Sequence, residues 1–130
     1  MWKVLVADDD LENRKVLLDG LKNLAECSVA LTGQEAVDLY QKASKTKIPF
    51  DFVLLDVTMP EMDGFQALKA IRSYEEKAKD CKQESFVIMI TAYRDSLMEK
   101  YNMGWDDFIT KPVDAKTLIN HMKSLILSRV

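Results

Sequence analysis

Five short apolar runs punctuate the chain: VLVA at 4–7, SVAL at 28–31, FVLL at 52–55, FVIMI at 86–90 and FI at 108–109. None alternates with polar residues as a half-exposed antiparallel strand would, and continuous Val, Ile, Leu and Phe runs suit strands covered on both faces. Between the runs the apolar period changes to that of a helix. Leu17, Leu21 and Leu24 mark a first helix, Ala36, Leu39, Tyr40 and Ala43 a second, and Phe65, Leu68 and Ile71 a third. Leu97, Met98 and Tyr101 mark a fourth, and Ala115, Leu118, Ile119, Met122, Leu125 and Ile126 a fifth. Strict strand-then-helix alternation predicts right-handed crossovers and an α/β domain, a parallel sheet with helices on both faces.

Local punctuation agrees. Thr32-Gly33-Gln34-Glu35 reads as a capping box for the second helix, Asp114 as a cap for the fifth, and Gly104 as the end of the fourth. The charged stretch YEEKAKDCKQES at 74–85 extends the third helix before a solvated loop, with Glu75 and Lys79 at the favourable i,i+4 spacing. No repeat or second-domain linker interrupts the 130 residues, so the expectation is one domain over 1–130.

Bulk properties narrow the function. Hydrophobic content of 48% with 30% charged residues is that of a globular protein, and no run approaches the roughly 18 apolar residues of a membrane span. A net charge of -3 disfavours direct nucleic-acid binding, which needs a basic face. Cys27 and Cys81 lie far apart without metal-ligand companions, and the N-terminus carries no export signal, so a cytoplasmic protein with free thiols is expected. His121, on the fifth helix, reads as a surface or packing residue. The seven methionines read as core fillers.

In an open parallel sheet the carboxyl ends of all strands emerge at one edge, where ligands bind. The first run ends in Asp8-Asp9-Asp10, the third in Asp56, the fourth in Thr91 and the fifth in Lys111-Pro112. Each has an ordinary alternative role: Asp10 as a helix cap, Asp56 as a turn former, Thr91 as a strand end, Lys111 as a surface charge. Proline after Lys111 restricts its backbone and leaves a cis bond open. Taken together, gathered carboxylates repel one another unless a cation is shared, and oxygen-only ligands select a hard divalent ion such as Mg²⁺. A lysine and a hydroxyl facing the same cleft complete a site for a phosphoryl group, which a carboxylate can accept as an acyl phosphate.

The segments VLVADD, DFVLLDVTMPEMDG, FVIMITA and GWDDFITKP resemble the receiver domain of two-component response regulators, over essentially the whole chain. The resemblance implies a doubly wound, flavodoxin-like (βα)5 domain with strand order 2-1-3-4-5. It implies Asp56 as phosphoacceptor, Asp9 and Asp56 as direct Mg²⁺ ligands, Asp8 acting through water, and the Thr58 carbonyl completing the metal shell. Lys111 would pair with a phosphoryl oxygen, Thr91 would move to bond another, and Phe108 would be the aromatic switch, lacking the hydroxyl of the more usual Tyr. Thr58 and Tyr93, the variable neighbours of Asp56 and Thr91, would tune hydrolysis, and a bulky Tyr93 with no acid or amide at either position implies slow self-dephosphorylation. The implied donor is a sensor histidine kinase or histidine phosphotransfer protein, with the output through the fourth helix, fifth strand and fifth helix to an unknown downstream partner. The chain would not be a turnover enzyme.

Three other classes compete. A haloacid-dehalogenase-type phosphatase would use Asp8 as its nucleophile within the D-x-D of 8–10, yet Glu12 stands where Thr or Val is expected and the later acidic pair is missing. An interaction module without phosphorylation would not need the filled acid, hydroxyl and lysine set. A flavodoxin-like cofactor carrier would need a Ser/Thr-rich phosphate loop after the first strand.

Overall fold

The computed structural model describes residues 1–78, 84–92 and 104–129. Five parallel strands, β1 (Trp2–Ala7), β2 (Ala25–Ala30), β3 (Phe52–Asp56), β4 (Phe86–Thr91) and β5 (Asp107–Thr110), form one sheet in the order β2-β1-β3-β4-β5. Helices α1 (Leu11–Leu21), α2 (Gly33–Lys45), α3 (Gly64–Lys77) and α4 (Ala115–Ser128) connect or follow them. Here α4 is the fifth helical stretch of the sequence. The region of the fourth stretch, with Leu97, Met98 and Tyr101, lies outside the described residues, as do Lys79, Cys81 and Tyr93.

The continuous apolar runs make sense in this sheet because successive strand residues face opposite layers. Leu5, Ala7, Val53, Leu55, Val87 and Met89 pack against Ala36, Tyr40, Leu68 and Ile71 of α2 and α3. Their neighbours Val4, Val6, Phe52, Leu54, Ile88 and Ile90 pack against Leu17 and Leu21 of α1 and Leu118 and Met122 of α4. Phe52 stacks on Phe86 at 5.4 Å and meets the edge of Trp2 at 5.1 Å, closing the second layer at the amino ends of the strands.

Several local expectations change. β2 begins and ends earlier than the 28–31 run, and as an edge strand it leaves Glu26 and Val29 exposed. Leu24 follows α1 and is 37% exposed, because the chain turns there through Leu24 N–H to Leu21 carbonyl instead of completing another helical turn. Ile126, on the apolar stripe of α4, also reaches solvent. Thr32 does cap α2, its hydroxyl accepting from the Glu35 N–H, but the Glu35 carboxylate takes the Leu31 N–H, one residue too early for a reciprocal box. The reciprocal box occurs instead at α3, between Asp63 and Gln66. Glu75, read from its spacing as an i,i+4 partner of Lys79, is buried and pairs with Arg72.

Candidate functional site

The strand ladders run one residue past the strands at their carboxyl ends. Asp8 N–H bonds the Ala30 carbonyl, Val57 N–H that of Ile90, and Lys111 N–H that of Thr91. Backbone pairing therefore roots the three site segments on the sheet, at the ends of β1, β3 and β5. Asp10 then starts α1, its carboxylate accepting from Glu12 and Asn13 N–H, which confirms its capping role and leaves Asp8 and Asp9 to the cleft. Gly64 starts α3 so close to β3 that a Cβ there would meet the Asp56 carbonyl at 2.3 Å. Only glycine permits that approach.

Asp8, Asp9 and Asp56 come together, each offering a carboxylate oxygen within 4.8 Å of the others. Asp8 and Asp56 are buried and Asp9 is exposed at the rim. Lys111 Nζ lies 2.9 Å from Asp56 Oδ2, while Asp56 Oδ1 accepts from the Thr58 N–H. Burial works against the charge of Lys111, but the Asp56 partnership outweighs it and raises the ammonium above its ordinary value. Asp8 has no such partner among the described residues. Its Oδ1 takes the Asp10 N–H, and its buried Oδ2 makes no hydrogen bond among the described residues. Burial, with the nearby Asp56 charge adding to it, pushes the Asp8 carboxyl up to about 6 against the relief given by the Asp10 N–H. An orphaned buried carboxylate oxygen beside two further carboxylates fits a hard divalent cation.

Thr91 is buried at the end of β4, Phe108 is half-buried on β5 against the α2–α3 layer, and Thr58 is exposed beside the cleft. The Lys111-Pro112 bond is cis. His121 is partly exposed and pairs through Nδ1 with Asp107 Oδ2, at the opposite end of β5 from the carboxylates. The sequence reading missed Arg14, whose guanidinium donates to the Asp8 carbonyl at 3.0 Å from a half-buried helical position, a role that a lone charged residue in the first turn does not announce.

The family described as "Response regulator receiver domain" matches residues 4–123. The chain belongs to this family. This receiver domain is a phosphoacceptor signalling module with an acidic pocket of Asp8, Asp9 and Asp56. It is 36% identical to Protein CcdB of Bacillus subtilis, covering 88% of both chains. It is 32% identical to hybrid signal transduction histidine kinase I of Dictyostelium discoideum over 89% of its own length, but spans only 7% of that protein. Among solved structures it resembles the CheX-CheY-BeF3-Mg+2 complex from Borrelia burgdorferi, with 28% identity and a TM-score of 0.76 over 96% of this chain and 89% of that one. It shares the fold of the receiver domain of Ssk1, solved with the histidine phosphotransfer protein Ypd1 of Saccharomyces cerevisiae, at 22% identity and a TM-score of 0.81 over 94% and 86% of the two chains. The acidic triad is of the kind that binds Mg²⁺ in receiver sites. Among the described residues no helix is long and apolar enough to cross a membrane.

Proposed function

We propose that residues 1–130 form one receiver domain that accepts a phosphoryl group on Asp56 from a phosphohistidine. The observation that carries this reading is the Lys111–Asp56 contact of 2.9 Å beside the buried, unbonded Asp8 Oδ2, which together separate the roles of the acids. Asp56 has a cation at one oxygen and a fixed position at the strand end, as a nucleophile requires. Asp8 is held deeper, as a charge-compensating residue requires. Asp8, Asp9, Asp56 and the Thr58 carbonyl would hold Mg²⁺, Asp8 acting mainly through water. When bound, the ion would neutralise phosphoryl oxygens and the excess charge of the carboxylates.

In the transfer, an Asp56 carboxylate oxygen attacks phosphorus, the P–N bond of the donor breaks, and the imidazole nitrogen leaves with the bonding pair. Lys111 exchanges its carboxylate partner for a phosphoryl oxygen. The Thr91 hydroxyl moves to donate to another, and Phe108 turns into the space this opens, favouring one of two packings. The chain is not a turnover enzyme in this reading; it catalyses its own modification. Thr58 and Tyr93 supply no acid or amide to orient a hydrolysing water, so the acyl phosphate decays slowly. The donor is a histidine kinase or histidine phosphotransfer protein, in line with the company this chain keeps among hybrid kinases. The modified domain acts in the cytoplasm on a downstream protein, without contacting nucleic acid.

Intact mass after incubation with acetyl phosphate tests the assignment. One added phosphoryl group that requires both Mg²⁺ and Asp56 is expected. A gain that survives Asp56→Asn and disappears in Asp8→Asn would overturn it.

A further inference from the structure

β5 is a four-residue edge strand, paired among the described residues with β4 alone, yet it carries Phe108 and leads directly into Lys111. So short an element needs other fixings, and the structure supplies one at its amino end. Arg72 of α3, with a side chain 16% exposed, aims its guanidinium at the segment entering β5. Its Nε donates to the Gly104 carbonyl and its Nη2 to Asp106 Oδ2, both at 2.8 Å. The same Asp106 oxygen accepts the Val87 N–H, while the Asp106 N–H donates to the Val87 carbonyl, so a side chain extends the β4–β5 ladder by one residue. Arg72 is itself fixed through Nη1 to Glu75 and the Ser85 carbonyl, and Glu75 also accepts from the Ser85 N–H and the Tyr40 hydroxyl.

We propose that Arg72 and Asp106 are positioning residues for the phosphoryl site: by clamping the start of β5 to α3 they set where Lys111 and Phe108 stand at its other end. This rests on the reading of Asp56 and Lys111 given above. The carboxylates come from β1 and β3, which the clamp does not touch, whereas Lys111 comes from the clamped strand. Loss of the clamp therefore weakens recognition of a phosphoryl-like anion while sparing the metal site.

The test compares Arg72→Gln and Asp106→Asn with the parent by titration calorimetry, first with Mg²⁺ alone and then with beryllofluoride at saturating Mg²⁺. Mg²⁺ affinity is expected to stay within about twofold while beryllofluoride affinity falls about tenfold in both variants. Beryllofluoride affinity equal to the parent's, or equal weakening for both ligands, would assign the clamp a structural role only and overturn the proposal. Asp106→Asn keeps the backbone pairing with Val87, so it decides the matter if Arg72→Gln does not fold. Failure of the parent to bind beryllofluoride in an Asp56-dependent way would instead overturn the phosphoryl site itself, and with it this proposal.

Discussion

Asp8 bears the electrostatic cost of the cleft. It is fully buried, its Oδ2 has no hydrogen bond among the described residues, and its carboxyl is raised from 3.8 to about 6, first by burial and then by Asp56. A carboxyl whose folded value exceeds its unfolded one takes up a proton on folding between the two values. Its stabilising contribution is thus complete below about pH 4 and is lost as pH rises through about 6. In the metal-free protein, Asp8→Asn is expected to raise stability by about 2 kcal/mol at pH 7.5, with the gain shrinking towards pH 4. Urea unfolding in EDTA at the two pH values checks this, and a variant no more stable than the parent at pH 7.5 would contradict it. Lys111 has the reverse assignment: its charge is favoured by Asp56 despite partial burial, so the ammonium keeps its proton through the neutral range.

At the scale of elements, the junction between β3 and α3 ties packing to chemistry. The Asp63–Gln66 capping box closes the start of α3, Gly64 N–H bonds the Val57 carbonyl, and the helix enters against the backbone of Asp56 itself. Gly64→Ala places a methyl group against that carbonyl, and since backbone cannot rotate away, the junction must shift. A loss of about 1–3 kcal/mol is expected, together with slower phosphorylation, because the displaced carbonyl belongs to Asp56, the proposed acceptor. Denaturant unfolding and intact mass from the same preparation check both halves. Unchanged stability would mean that the junction yields more easily than the 2.3 Å approach implies. The other reading at this scale, a reciprocal box at Thr32 and Glu35, is corrected by geometry: the same residue types at the same spacing put the carboxylate on the Leu31 N–H.

Across the whole molecule, the cleft lies at the carboxyl ends of the strands, and a buried polar cluster ties α2 and α3 to the start of β4 at their amino ends. Glu75, 6% exposed, accepts from Tyr40 of α2, Arg72 of α3 and the Ser85 N–H before β4. Removing the shared acceptor takes away the buried carboxylate that holds Arg72 Nη1 and the Ser85 N–H while leaving Arg72 its pair with Asp106, so Glu75→Ala is expected to cost about 2–3 kcal/mol in unfolding free energy. A loss below about 1 kcal/mol in urea unfolding would refute that. What the sequence determined by itself is the class of the fold and the residues of the cleft: apolar runs covered on both faces, helical spacing between them, and an acid, hydroxyl or lysine at the carboxyl end of four strands. Those signals are local, and parallel pairing brings all the strand ends to one edge whatever the details. The tertiary structure alone decided which strands lie at the edge and expose Val29, which carboxylate pairs with Lys111 and which is left unbonded, and that Glu75 leaves its helix surface for the interior. The physical reason is that desolvation and pairing of a charge depend on neighbours 10 to 55 positions away in the chain, as between Glu75 and Ser85 or Asp56 and Lys111, and helical or strand spacing carries no record of them.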